Sequence, residues 1–215
     1  MMKIKVDFLS ELAKKYKCDK SDKKHKYTIR YHNYFEKDRY REFNILELGF
    51  GLGSSVKMWM EYFTKANLIV VDNMEKLPPD KLIQKHVKGD RFEFVSADQI
   101  DMDKLLKIFE NDRKFYIIID DASHVAEDQQ YTFYHLFQFV TSGGWYIIED
   151  LKCKRSPSKR FPTQADKTLE VLNRYVKTGN YNSKILTPKQ NLYFTTMIES
   201  VKIYDEKIAF IKKKG

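Results

Sequence analysis

The sequence predicts an α/β fold built on a mostly parallel sheet. Three observations predict it. Short apolar runs alternate with segments of helical periodicity from Asn44 onward, glycines follow the first run, and the chain closes on two aromatic and β-branched runs separated by a polar turn. Alternating strands and helices imply right-handed crossovers and strands buried on both faces. The expected architecture is Rossmann-like: a doubly wound, mostly parallel seven-stranded sheet with a C-terminal antiparallel hairpin.

The elements follow in order. Residues 6–16 carry Phe8, Leu9, Leu12, Ala13 and Tyr16 at helical spacing, and residues 17–24 read as a loop. Residues 27–43 read as an aromatic helix with Tyr27, Tyr31, Tyr34 and Phe35 on one side. Strands are expected at 44–48, 68–71, 92–95, 115–119 and 145–148. Helices are expected through Val56, Trp59, Met60 and Phe63, then at 77–87, 102–109, 125–140 and 168–176. Residues 152–162 form a basic loop, and 192–204 and 208–211 flank Asp205-Glu206-Lys207 as the hairpin. This organisation gives an N-terminal helical segment, 1–42, expected to form part of the pocket, and an α/β domain, 43–215.

Composition narrows the class. The 215 residues are 42% hydrophobic and 14% aromatic, enough for a real core and too much for a disordered chain. No apolar run approaches a membrane span, and the N-terminus lacks the apolar core of a signal peptide, so a cytoplasmic protein is expected. Cys18 and Cys153 form neither a disulfide framework nor a zinc pattern. The net charge of +9 could attract nucleic acid, anionic headgroups or a phosphorylated small substrate. It is scattered along the chain, so a solvated surface and a small-molecule substrate are expected, with no nucleic acid partner.

Two constellations carry chemistry. Glu47-Leu-Gly-Phe-Gly-Leu-Gly-Ser-Ser55 follows the first strand, and Gly49, Gly51 and Gly53 allow a tight turn and close approach to a ligand. The spacing departs from the dinucleotide fingerprint, and a carboxylate at Glu47 would repel a pyrophosphate. It suits a cofactor with a cationic or amine-bearing end. Asp72, after the second strand, is placed for ribose hydroxyls, and Asp98-Gln99, after the third, for an adenine edge. The second constellation is Asp120-Asp121-Ala-Ser-His124 at the end of the fourth strand, with Glu149-Asp150 at the end of the fifth. Carboxylates from neighbouring strands would converge on a hard ion such as Mg²⁺, and a histidine is the ordinary proton acceptor near neutral pH. Asp120 lies on the other side of the strand's alternation from Asp121 and reads as structural.

Glu47, Asp72 and Asp98 at three successive strand ends resemble the class I S-adenosylmethionine-dependent methyltransferases. Further motifs resemble the sugar O-methyltransferases of the mycinamicin and tylosin macrolide pathways. They are Tyr16-Lys-Cys-Asp-Lys20, His25-Lys-Tyr27 with Tyr31, Leu46-Glu-Leu-Gly49, Gly53-Ser-Ser-Val-Lys-Met-Trp59, Asp98-Gln-Ile-Asp101, Ile119-Asp-Asp-Ala-Ser-His124 and Gly143-Gly-Trp-Tyr-Ile-Ile-Glu-Asp-Leu151. The resemblance covers about residues 16–151; Lys17, Cys18 and Ala122 depart from it.

The resemblance implies S-adenosylmethionine and Mg²⁺ as cofactors. It places Asp121, Glu149 and Asp150 near the metal and His124 as base, with Asp121 also counted catalytic. Asp19, Lys20 and Ser54 are expected at the cofactor, and His25 and Tyr27 at the substrate. The macrolide enzymes carry a large N-terminal domain absent from this chain, so the pocket is expected to differ and a homo-oligomer stays open. The expected activity is O-methylation of a sugar hydroxyl, on a glycan precursor such as that of a surface polysaccharide or on a glycosylated metabolite. The alternatives are a methyltransferase on nucleic acid or another small molecule, and a non-catalytic adenosyl-binding module.

Overall fold

The computed structural model describes residues 7–73, 90–161 and 164–215. A seven-stranded sheet has the order β3-β2-β1-β4-β5-β7-β6. Its strands are β1 (Asn44–Leu48), β2 (Asn67–Asp72), β3 (Phe92–Ser96), β4 (Phe115–Asp120), β5 (Val140–Ile148), β6 (Ile198–Tyr204) and β7 (Ile208–Lys213). The first five run parallel; β7 runs antiparallel to both β5 and β6. β1 lies between β2 and β4, so the strand order reverses at β1/β4, the crevice where open α/β sheets bind ligands.

Helices cover both faces. On one side lie α1 (Phe8–Lys15), α2 (Thr28–Phe35) and α3 (Ser54–Tyr62); their Leu9, Tyr31, Phe35 and Trp59 pack with Ile45, Val70, Ile117, Ile119 and Ile147. On the other lie α4 (Met102–Leu105), α5 (Ala126–Phe137), α6 (Thr168–Thr178) and α7 (Pro188–Met197), which meet Leu46, Leu48, Ile69, Ile118, Tyr146 and Ile148. Odd and even positions of β1, of β4 from Ile117 onward and of β5 thus face opposite cores. Residues 7–42 share the first core with the sheet.

Several elements differ from expectation. The 27–43 helix stops at Phe35 and ends in a 3-10 turn, Glu36–Asp38. The 102–109 helix is only Met102–Leu105, followed by a 3-10 segment broken where Asn111 takes φ 58°. The 125–140 helix stops at Phe137, because Val140 already pairs with Phe115 in β5. The first half of the expected 192–204 strand is helix α7. Thr187 and Gln190 form a capping box around Pro188 at its first turn, and Phe194 buries at helical spacing rather than alternating. The expected 77–87 helix lies outside the described residues. The hairpin turn is as expected, with positive φ at both Asp205 and Glu206, which matches the twist of the strands it joins.

Candidate active site

Strand register builds the site. Asp120 pairs with Leu48 on β1 and with Ile148 on β5, so Gly49, Asp121 and Glu149 follow side by side. The Asp121 N–H donates to the Leu48 carbonyl and the Glu149 N–H to the Asp120 carbonyl, each at 3.0 Å. The row leaves Gly49 no room: at φ +100°, a Cβ there would lie 2.2 Å from the Asp121 carbonyl oxygen.

Glu47 and Glu149 point toward the α1–α3 side, where a lysine from the N-terminal segment meets them. Lys20 is 1% exposed, and its Nζ lies 2.5 Å from Asp121 Oδ2, 2.7 Å from Glu149 Oε2 and 3.8 Å from Glu47 Oε1. Burial opposes that charge, but the carboxylates of Asp121, Glu149 and Glu47 outweigh it and hold the ammonium well above the usual lysine range. Burial pushes the Glu47 carboxyl up to about 7, with Lys20 pulling it the other way. The Trp59 indole and Ser55 hydroxyl donate to Glu47, and the Tyr31 hydroxyl donates to Glu149 Oε1 at 2.6 Å.

A second group faces the opening. One ligand atom from each of Asp121, His124 and Asp150 lies within 4.8 Å of the others. His124 Nε2 is 3.7 Å from Asp150 Oδ2, while its Nδ1 is buried without a hydrogen-bond partner among the described residues. The Tyr27 hydroxyl donates to Asp150 Oδ1 at 2.6 Å; His25 Nδ1 lies 3.8 Å from that oxygen and its ring stacks on Tyr27. His124 and Asp150 have φ of 57° and 55°, a left-handed backbone unusual outside glycine and one that clusters at functional sites. Asp120 turns the other way, within 3.5 Å of Gln99 and Tyr146, and burial pushes it up to about 7.

No family model matches the sequence. A rhamnosyl-tetracenomycin C 3'-O-methyltransferase of Streptomyces olivaceus is 36% identical over 150 residues, 66% of this chain and 36% of that protein. Mycinamicin VI 2''-O-methyltransferase of Micromonospora griseorubida is 32% identical over 165 residues, 74% of this chain and 39% of that protein. The chain therefore spans less than two fifths of the length of either relative. A solved structure of the mycinamycin-pathway methyltransferase MycE, in complex with Mg, SAH and mycinamycin VI, superposes with a TM-score of 0.76. It is 28% identical, over 98% of this chain and 55% of that one. The chain is a relative of the sugar O-methyltransferases and has their fold.

Within this methyltransferase fold the glycine loop opens α3 at Ser54, and the Phe50 N–H donates to Asp72 Oδ2 at 2.7 Å, so Asp72 braces the loop from the end of β2. Gly51 and Gly53 take positive φ, and Leu52 between them is 69% exposed. Asp98 accepts the Ile100 N–H and a two-pronged ion pair from Arg160, at 3.1 and 3.0 Å. Asp19 is exposed beside Cys18, while Lys20 turns inward.

Two of the expected site residues are buried among protein partners. Gln99 is 5% exposed; its Oε1 accepts the Ser123 N–H at 2.7 Å and its Nε2 donates to Thr132, so it braces the loop that carries His124. Of the three acids expected at a metal, Asp121 and Asp150 converge with His124, whereas both Glu149 oxygens face Lys20 and Tyr31. Gln129 and Gln130 are both buried. Gln129 donates to the Glu149 carbonyl and Gln130 to the Asp166 carbonyl. The roles of Tyr31 and Glu127 were missed. Tyr31 lay in the aromatic stripe of a predicted helix, whereas no sequence signal marked Glu127, which accepts the Ser158 and Ala165 N–H groups.

Proposed function

We propose that the chain is an S-adenosylmethionine-dependent, Mg²⁺-assisted O-methyltransferase acting on a sugar hydroxyl of a glycan precursor, such as that of a surface polysaccharide, or of a glycosylated metabolite. The observation that carries this reading is the convergence of Asp121, His124 and Asp150 beside Gly49 at the reversal of strand order. The sugar O-methyltransferase names of the relatives, and the Mg and SAH in the MycE complex, support it.

The residues fit both cofactors. Glu47, Asp121 and Glu149 surround Lys20, and Asp150 stands with Asp121 and His124 on the other side, so four carboxyl groups share one buried lysine, an excess of acids that a divalent ion and a sulfonium would answer. Asp121 and Asp150 offer the hard oxygen donors that Mg²⁺ takes. Bound there, Mg²⁺ supplies positive charge that acidifies a nearby hydroxyl. Glu149 stands behind them as a positioning acid, holding the same ammonium that holds Asp121.

His124 is the base: it accepts the acceptor hydroxyl's proton as the oxygen takes the methyl group. Among the described residues its Nδ1 has no hydrogen-bond partner, and its Nε2 lies 3.7 Å from Asp150 Oδ2. Gly49, Gly51, Gly53 and Ser54, with Asp19 and Lys20, would cradle the methionine end of the cofactor, Asp72 its ribose and Asp98 its adenine. Holding donor and acceptor in line is the larger part of the task, since the methyl already sits on a good leaving group. His25 and Tyr27, next to Asp150, would border the acceptor side, which makes the N-terminal helical segment that carries them part of the proposed pocket. We place the enzyme in the cytoplasm, acting on a small-molecule substrate; among the described residues no helix is long and apolar enough to cross a membrane.

Calorimetric titration with S-adenosylhomocysteine and with NAD tests the cofactor; tighter binding of NAD would overturn it. Turnover of [methyl-labelled] S-adenosylmethionine with a panel of sugar acceptors, measured in EDTA and after Mg²⁺ is restored, tests the metal. Full activity in EDTA would remove its role.

A further inference from the structure

The segment after Asp150 is the most basic stretch near the site. Residues 152–161 contain Lys152, Lys154, Arg155, Lys159 and Arg160 and no acid. The structure ties this segment down on either side of the candidate site. At its start, the Cys153 N–H donates to the Asp150 carbonyl at 2.8 Å, and the Leu151 N–H to the Lys207 carbonyl at 2.9 Å. Further along, the Ser158 N–H donates to Glu127 Oε2 at 3.2 Å, and Glu127 stands three residues after His124. The other Glu127 oxygen accepts the Ala165 N–H at 3.0 Å, and Arg160 forks onto Asp98 beyond the end of β3. The segment is a strap, fixed at Asp150 on one side and beside the His124 loop on the other.

Its charges fall into two sets. Lys152 pairs with Glu206 at 2.7 Å and Arg160 with Asp98, so these two fasten the strap. Lys154, Arg155 and Lys159 are exposed and form no ion pair with any described residue. Lys154 and Arg155 lie between the two anchor points that border the site. Guanidinium and ammonium groups carried on one anchored strap suit the oxygens of a phosphate ester, which such groups bind through charge-assisted hydrogen bonds.

We propose that the acceptor sugar carries a phosphate or diphosphate ester, received by Lys154, Arg155 and Lys159 at the rim of the site. The inference rests on the methyltransferase reading for what happens at the hydroxyl, but phosphate recognition by the strap is measured independently of it. The hydroxyl sits at Asp121, His124 and Asp150, and the ester oxygens lie on the strap that leads away from Asp150. The strap thereby sets the substrate class.

The test is calorimetry on the full chain with Mg²⁺ and S-adenosylhomocysteine present. The probes are UDP-glucose, glucose 1-phosphate, inorganic pyrophosphate and methyl glucoside. At least one phosphorylated sugar should bind about tenfold or more tightly than methyl glucoside, and the triple variant Lys154→Gln/Arg155→Gln/Lys159→Gln should lose that margin. Binding of S-adenosylhomocysteine and of methyl glucoside should not change in the variant. Preference for UDP-glucose marks a nucleotide-linked acceptor, and preference for glucose 1-phosphate a monoester. Binding of pyrophosphate alone, equal binding of phosphorylated and neutral sugar, an unaffected triple variant, or tighter binding of a mixed RNA oligonucleotide would overturn the proposal. Failure of S-adenosylhomocysteine to bind would instead overturn the methyltransferase reading, and the phosphate arms would still be read.

Discussion

Lys20 and Glu149, 129 residues apart in the chain, meet at 2.7 Å inside the protein, and Asp121 closes on the same ammonium. A cation this deeply buried persists because Glu47 and Glu149, as buried as it is, and the partly exposed Asp121 compensate its charge. Lys20→Met should therefore leave Asp121, Glu149 and Glu47 uncompensated and lower stability by about 3–5 kcal/mol in urea unfolding. Adding Glu149→Gln should restore part of that loss. A single variant as stable as the wild type would mean that the acids are neutralised without Lys20.

His124 has a separable role. Its side chain makes no hydrogen bond through Nδ1 to any described residue, and its backbone sits at φ 57°, a conformation that asparagine also adopts readily. His124→Asn should fold normally and bind S-adenosylhomocysteine normally, yet lose about 10²–10⁴-fold in turnover. Turnover within about threefold of wild type would dismiss it as the base.

The glycine loop offers a contrast between neighbouring positions. A Cβ at Gly49 would strike the Asp121–Ala122 backbone, whereas a Cβ at Gly51 meets nothing within 4 Å. Gly51→Ala should cost only its left-handed backbone, about 1–2 kcal/mol. Gly49→Ala should add a backbone clash and lose clearly more, with thermal unfolding as the measure. Equal melting temperatures for the two variants would show that β1 and β4 can part without penalty.

His135 gives the pH dependence a clean reporter far from the acids. Its ring packs against Tyr131 and Tyr134, with centroids 4.4 and 4.9 Å away, and burial lowers its pKa below the usual 6.5. The unfolded chain then takes up the proton first as pH falls. The stability of the neutral ring is complete above pH 6.5 and is lost as pH falls from there through the lower folded value. His135→Phe should weaken the loss of melting temperature between pH 7.5 and pH 5. An unchanged acid slope in the variant would assign that loss to other groups.

Much of this protein is legible one residue at a time. The apolar runs at Asn44–Leu48 and Phe115–Asp120, the glycines after the first and the acids after the second follow from local patterning. Strand burial and helical periodicity are both written in neighbouring residues. Parity alone separated Asp120 from Asp121, and the structure places Asp120 against Gln99 and Tyr146 on the far face. Where two local signals competed, the reading failed. Residues 188–197 carry aromatic and β-branched side chains that suit a strand, but the capping box at Thr187 and Gln190 and the fit of Phe194 against Phe133 settle them as a helix.

By itself, then, the sequence determined the order of elements, the parallel sheet with its closing hairpin, and the acids and histidine collected at its carboxyl edge. Only the tertiary structure decided how those groups divide. It put Lys20 among Glu47, Asp121 and Glu149, turned Asp150 outward to Tyr27 and His124, buried Gln99 under the His124 loop, and fastened the basic strap through Arg160 and Glu127. Periodicity is a property of adjacent residues. The partner of a buried charge is set by strand register and by which segment the fold brings across the sheet, and Lys20 and Glu149 become neighbours only when the chain between them is folded.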